Sequence, residues 1–170
     1  MNKKVATALV ILVVIAAIFA YLNAGDREDR IISQQEAVLI LNYQGEEQAR
    51  VDFDQIQELE EHEFEATLRS SEDEDRDDTY VGVRLHDLLQ KFDLPVEEMN
   101  QVVTRAVDGY TVALSPEEVL EEDNVYIVYM HNGDYLSPRD EGGSGPYRLV
   151  IREDQFAQRW NRYLMEIDVR

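Results

Sequence analysis

The 170-residue sequence predicts a mixed α+β domain of many short strands with short helices between hairpins, and three observations carry that prediction. Apolar runs of strand length are punctuated by the turn pairs Gln44-Gly45, Asp108-Gly109 and Asn132-Gly133. Leu85, Leu88, Leu89 and Phe92 fall at i, i+3, i+4 and i+7, which is one face of a helix. Ser115-Pro116-Glu117-Glu118 has the form of a capping box with proline in the first helical position. No internal repeat is evident.

In chain order, Val5 to Leu22 is an uncharged apolar run of 18 residues, preceded by Lys3 and Lys4 and followed by Asp26, Glu28 and Asp29. About 20 such residues cross a bilayer as a helix, and the lysines hold the N-terminus on the cytoplasmic side. The expectation is therefore a single-pass transmembrane helix with the domain extracytoplasmic. The competing reading is a cleaved signal peptide, which would make the domain secreted. The apolar run exceeds the usual signal core, and Leu22 or Ile18 would stand where a small residue is wanted. Residues 1–24 are thus the anchor or signal segment, 25–36 a polar linker, and 37–170 the folded domain.

Within the domain, Ala37 to Tyr43 reads as a strand that turns at Gln44-Gly45 and returns toward Phe53. Asp52 or Asp54 caps a short helix that turns Ile56 and Leu59 inward. The run FEATL, from Phe64, is the next strand, and Pro95 closes the helix built on Leu85. QVVTRAV and YTVAL flank Asp108-Gly109, a pair suited to a tight type I′ hairpin. NVYIVYM, YRLVI and YLMEIDV are strands, and EDQFAQRW is a helix candidate.

Charge and composition narrow the function. A net charge of -20, from 36 acids against 16 bases, excludes nucleic acid as a partner, because phosphate backbones are bound through Lys and Arg clusters. Lysine occurs only at Lys3, Lys4 and Lys91. There is no cysteine, so disulfides, thiolate-bound metals and cysteine nucleophiles are all excluded.

Six carboxylates fill the seven positions from Glu72 to Asp78. Asp73, Asp75 and Asp77 match the first three positions of a calcium loop. Asp78 stands where that loop needs glycine, and Arg84 where it needs a bidentate glutamate. A solvated, mobile loop is the simpler reading of 72–78. His62, His86 and His131 have no metal-binding or nucleophile-activating spacing, so His131 reads as a turn residue and His86 as surface. In DEGGSGPYRLVI, Gly142, Gly143 and Gly145 permit close backbone approach to a ligand, and Arg148 offers a cation for an anion; an ordinary loop entering a strand has the same composition. Arg159 and Arg162 flank Trp160, a local positive patch that a helix with outward arginines also explains.

The order of these pieces resembles the molybdopterin-binding domain of the sulfite oxidase superfamily of oxidoreductases. The resemblance rests on YVGVRLHDLL (Tyr80 to Leu89), VDGY (Val107 to Tyr110), VYMHNGDYL (Val128 to Leu136), GPYRLVI (Gly145 to Ile151) and the closing RYLMEIDV. It implies a sulfite-oxidase-like α+β fold over residues 37–170. It also implies a pterin pocket lined by Gly145, Pro146 and Arg148, with Arg162 in place of a lysine and Tyr80 and Gly82 in the motif beside it. Enzymes of the family bind molybdenum through a cysteine after the strand matching FEATL, which falls at Leu68 to Ser71, where LRSS supplies none. A hard hydroxyl or a guanidinium does not replace a soft thiolate.

The expected function is therefore a membrane-anchored, extracytoplasmic module without redox catalysis, no catalytic or metal-ligating residues, and a ligand- or partner-binding accessory role. An apolar cleft near Tyr80, Tyr110, Tyr135 and Tyr147 would be its centre. No cofactor is expected, with molybdopterin the one candidate. The alternative is a molybdopterin-binding oxidoreductase component that works with a partner subunit, such as a membrane redox protein.

Overall fold

The computed structural model describes residues 9–18, 34, 36–68, 76–154 and 156–170. At the N-terminus, residues 9–18 form a helix, α1, whose side chains are exposed. Among the described residues no helix is long and apolar enough to cross a membrane. This overturns the expected transmembrane helix, and the single-pass placement and membrane partnership that rested on it fall with it. The rest of the expected anchor, and nearly all of the expected 25–36 linker, lie outside the described residues.

The domain is built on two five-stranded sheets. In the first, β1 (Leu39–Tyr43) lies between β2 (Glu46–Val51) and β10 (Leu164–Val169), and β5 (Val102–Ala106) and β6 (Thr111–Leu114) complete the order β2-β1-β10-β5-β6. The β1–β10 pair is parallel, which joins the two ends of the domain in one sheet, and the other pairs are antiparallel. In the second sheet, β3 (His62–Leu68), β4 (Arg76–Arg84), β7 (Val125–His131) and β8 (Asp134–Tyr135) follow in order, and β9 (Arg148–Ile151) also pairs with β7. The mixed-sheet α+β class follows from this pairing.

Local chemistry explains the elements. Gln44 and Gly45 both have positive φ, as do Asn132 and Gly133, so each pair makes the tight turn whose twist suits a hairpin. Asp108-Gly109 does not. Only Gly109 is at positive φ, and Val107 to Tyr110 form a longer loop closed by Ala106 N–H donating to the Tyr110 carbonyl at 2.9 Å. Helix α2 (Phe53–Gln57) starts at Asp52, whose carboxylate accepts from Gln55 N–H, while the Gln55 side chain accepts from the Asp52 N–H. In α3 (Leu85–Lys91), Leu85, Leu88 and Leu89 are buried, against β4 and β7. In α4 (Pro116–Leu120) the capping box of Ser115 and Glu118 is present in both directions.

Two expectations are corrected here. The helix foreseen in EDQFAQRW is only a single 3-10 turn, Ala157–Arg159, preceded by extended Phe156. Asp77 and Asp78, expected in the acidic loop, belong to β4, where they pair with Thr67 and Ala66 of β3. Residues 72–75 lie outside the described residues, so the remainder of that loop is not placed.

Candidate functional site

Three backbone hydrogen bonds tie the chain leading into β9 to the chain leading into β10. Tyr163 N–H donates to Ser144 O at 3.0 Å, Leu164 N–H to Tyr147 O at 2.9 Å, and Leu149 N–H to Asn161 O at 2.8 Å. Alternation along β9 then buries Tyr147 and Leu149 on one side and turns Arg148 to the other. The Arg148 guanidinium lies 5.2 Å from the ring centre of Trp160 and 5.9 Å from that of Tyr80. Trp160 is held by its indole N–H, which donates to Ile151 O at 2.9 Å.

Arg148 is only 6% exposed, and its Nε is buried without a hydrogen-bond partner. Burial pushes its guanidinium below the usual arginine range; Tyr80 and Asp78 work in the opposite direction, and the neighbouring Arg162 adds to the lowering. An arginine nevertheless stays cationic at neutral pH. Behind Tyr80, His131 stacks on its ring at 5.0 Å. The His131 Nε2 atom is 3.1 Å from Asp78 Oδ2, close enough for an ion pair but outside hydrogen-bond geometry. The other oxygen of Asp78 accepts from Asn132 Nδ2 at 3.0 Å. His131, expected as a turn residue, is thus the last residue of β7 and part of this cluster.

In front of Trp160 opens a cleft of about 470 Å³ lined by Asp108, Tyr110, Arg139, Trp160, Asn161, Arg162 and Tyr163, so one carboxylate faces it with two arginines. The Arg139 guanidinium sits 5.6 Å over the Tyr163 ring. Tyr163 has φ of 56°, an uncommon conformation for an aromatic residue, and the bonds to Ser144 and Val107 on its two backbone groups hold it there. Asn161 is fully buried; its amide donates to Thr104 Oγ1, and its Oδ1 has no partner. The Tyr110 hydroxyl donates to Gln158 O at 2.8 Å, which closes one wall.

The charges are arranged with a clear bias. Arg50, Arg84, Lys91, Arg105 and Arg170 each lie against a carboxylate. Arg159 does too, bridging Asp154 and Glu118, and so fastens the cleft wall to α4. Burial works to raise the Glu118 carboxyl, but Arg159 and the Ser115 N–H outweigh it and hold it below the usual range. Among the described residues no carboxylate lies within ion-pair distance of Arg139, Arg148 or Arg162. The cleft is consequently a cationic spot on a chain of charge -20.

Of the sequence-predicted residues, Tyr80, Arg148 and Arg162 are brought together. Gly145 and Pro146 sit on the approach to β9, joined by a cis peptide. A Cβ on Gly145 would come within 2.5 Å of the Leu136 Cβ, so the glycine there serves loop packing. Gly82 lies at a bulge where β4 meets β7, and a Cβ on it would be 2.3 Å from the Ile127 carbonyl oxygen. It is needed for strand contact and does not line the cleft. The cleft is polar where an apolar one was expected: Tyr110 lines it, while Tyr135 packs with Phe53 and Tyr129, and Tyr147 is fully buried. Arg139 and Asn161 were not foreseen: Arg139 is brought beside Arg162 only by the fold, and Asn161, next to Arg162 in sequence, stands in no motif.

A molybdenum centre of the family type does not fit these residues. The chain has no thiol, and among the described residues no three histidine, aspartate or glutamate side chains are gathered to hold a metal. Leu68 continues β3 in register with Arg76, and 69–71, the remainder of the expected cysteine position, lie outside the described residues. The arginines do fit a polar, anionic organic group.

One mixed and one antiparallel five-stranded sheet, with an arginine-bearing cleft where the approach to β9 meets the run into the last strand, make up an α+β domain of the oxidoreductase type. The chain belongs to the oxidoreductase molybdopterin binding domain family, whose model matches residues 32–170. Among solved structures it is similar to the sulfane dehydrogenase SoxCD from Paracoccus pantotrophus, with 17% identity and a TM-score of 0.66 over 80% of this chain and 38% of that one. Identity at that level shows a common fold, and the chain spans well under half of the relative's length. No curated protein matches it in sequence.

Proposed function

We propose that this protein is a non-catalytic accessory module of its family, which uses the Arg139–Arg162 cleft to hold an anionic ligand or a partner's anionic group. The observation that carries this reading is the pairing of a cysteine-free chain with Arg139 and Arg162 lining one cleft without carboxylate partners among the described residues, and with Arg148 buried against the cleft's Trp160. Leaving Arg148 buried and partly unsatisfied costs stability, and such a cost is tolerated where a ligand supplies the missing contacts. Tyr110, about half exposed, adds a face on which a planar ring can rest. The residues Tyr80, Arg148 and Arg162 carry the role; Gly82, Gly145 and Pro146 shape the backbone around them.

The test is calorimetric titration of the full chain with a pterin carboxylate, a planar anion. Binding that weakens at least tenfold in Arg162→Gln and in Arg139→Gln supports the reading. Saturable binding indifferent to both substitutions, or no binding, overturns it. Family membership favours a second reading, a molybdopterin-binding oxidoreductase component whose partner subunit provides the metal ligand. Stoichiometric molybdenum in the protein from its native host would establish that one.

A further inference from the structure

Outside α1, four large apolar side chains stand exposed among the described residues: Val38, Val107, Tyr110 and Phe156. Three of them, at 60%, 48% and 47% exposure for Val107, Tyr110 and Phe156, lie on segments that build the Arg139–Arg162 cleft. Tyr110 lines it, and the Val107 N–H donates to the carbonyl of the lining Tyr163 at 3.0 Å. Phe156 precedes the 3-10 turn whose Ala157 and Gln158 also line it. The bond from the Tyr110 hydroxyl to Gln158 O, at 2.8 Å, fastens these two segments to each other. A single exposed apolar side chain is ordinary, but three on segments bonded around one cleft form an apolar rim.

Charge selects what covers that rim. Arg139 and Arg162 are both exposed in the cleft, whereas Arg50, Arg84, Lys91, Arg105, Arg159 and Arg170 are neutralised by carboxylates of this chain. On a chain of charge -20, an approaching acidic group is repelled by the bulk of the surface and attracted where arginines stand uncompensated. Asp108 faces the same space, so the occupant needs a donor beside its carboxylates, and every peptide N–H is one. A small anion would satisfy the arginines and leave Val107 and Phe156 in water. A peptide segment carrying carboxylates next to apolar side chains satisfies both.

We propose that the cleft and its apolar rim dock an acidic segment of a partner protein, in which Asp or Glu side chains neighbour apolar ones. The carboxylates meet Arg139 and Arg162, and the apolar side chains cover Val107, Tyr110 and Phe156. Arginine pairs with carboxylates through its fork of N–H donors, and apolar cover around such a pair keeps water away from it. Arginine clusters of this kind are a recurring means of reading acidic segments. The inference rests on the anion-holding reading of the cleft and adds the class of partner: a protein segment, recognised by its apolar side chains as well as its charge.

The experiment titrates ¹⁵N-labelled full chain with the end-blocked peptide Gly-Glu-Leu-Glu-Leu-Gly, with the same peptide carrying Gly for Leu, and with a pterin carboxylate. The Glu/Leu peptide is expected to bind saturably, to shift the amides of Tyr110, Arg139 and Arg162, and to lose about tenfold in affinity when Gly replaces Leu. Val107→Ser with Phe156→Ser is expected to weaken that peptide about tenfold and to leave the pterin carboxylate within about twofold, while Arg162→Gln weakens both ligands about tenfold. Val107 and Phe156 are exposed, and unchanged circular dichroism checks the fold of the double variant. Pterin carboxylate bound without the peptide overturns this proposal and leaves the anion-holding reading standing; neither bound overturns both. Equal binding of the Gly peptide, or indifference to the double substitution, overturns the proposal as well. So does self-association of the free chain that covers the same residues, measured by sedimentation, because it assigns the rim to a second copy.

Discussion

Replacing Arg148 with methionine separates a binding charge from a structural one. Arg148 is only 6% exposed, and the cost of burying an ion in protein is several kcal/mol. Against it stand two ring contacts, worth about 0.5–2 kcal/mol each, and the interaction with Tyr80. The orphaned Nε adds about 1–3 kcal/mol of unrecovered desolvation. Methionine keeps an unbranched, flexible stem, removes the charged guanidinium, and can bring its sulfur against the same rings. The expected result is that Arg148→Met stabilises the ligand-free protein by about 1–3 kcal/mol, within the range seen when buried ions are replaced by apolar side chains. Urea unfolding read through Trp160, the chain's one tryptophan and a direct neighbour of the site, measures this. The same variant should lose the anion binding. A destabilisation of about 3 kcal/mol or more would show that Arg148 is a structural partner for Asp78 and Tyr80, and would refute the argument.

Three further outcomes follow from the packing. Gly82→Ala forces a methyl to within 2.3 Å of the Ile127 carbonyl and should cost about 3 kcal/mol, readable as a lowered urea midpoint with an unchanged slope. Ser115→Ala removes one half of the capping box of α4, which also anchors Arg159 through Glu118; a loss of about 1 kcal/mol is expected in the same assay. Burial, followed by its bond to Asp123, pushes the Tyr126 hydroxyl up to about 12 from 10.0, and burial raises Tyr129 and Tyr147 as well. The unfolded chain therefore ionises first, so stability is intact below pH 10 and falls as pH rises toward 12; Tyr126→Phe should make that fall shallower in thermal melts taken across this window.

Much of the architecture was legible because it is written in local chemistry. The Asp52 and Ser115 caps, the leucine face of α3 and the paired turn residues Asn132-Gly133 act over four or five positions, and they stand where the residues place them. What failed was context. Asp108-Gly109 has the composition of a two-residue turn, yet the bond from Ala106 to Tyr110 opens a longer loop that shapes the cleft. EDQFAQRW has helical composition, but Phe156 is extended and, among the described residues, only one 3-10 turn follows it. Asp78 looked like one more solvated acid; pairing with Ala66 carried it into the sheet beside His131. The site was half legible. Arg148 and Arg162 stood in motifs and Asn161 adjoins Arg162, whereas Arg139 and the His131–Asp78 contact come from other segments, and only the pairing of β4, β7 and β9 assembles that contact beside Arg148.

The central claim is that this chain keeps its family's fold and cationic cleft without the family's metal chemistry. Metal analysis of the protein purified from its native host, normalised to protein concentration, tests it most directly. The account predicts molybdenum far below one atom per chain; molybdenum approaching one per chain would contradict it.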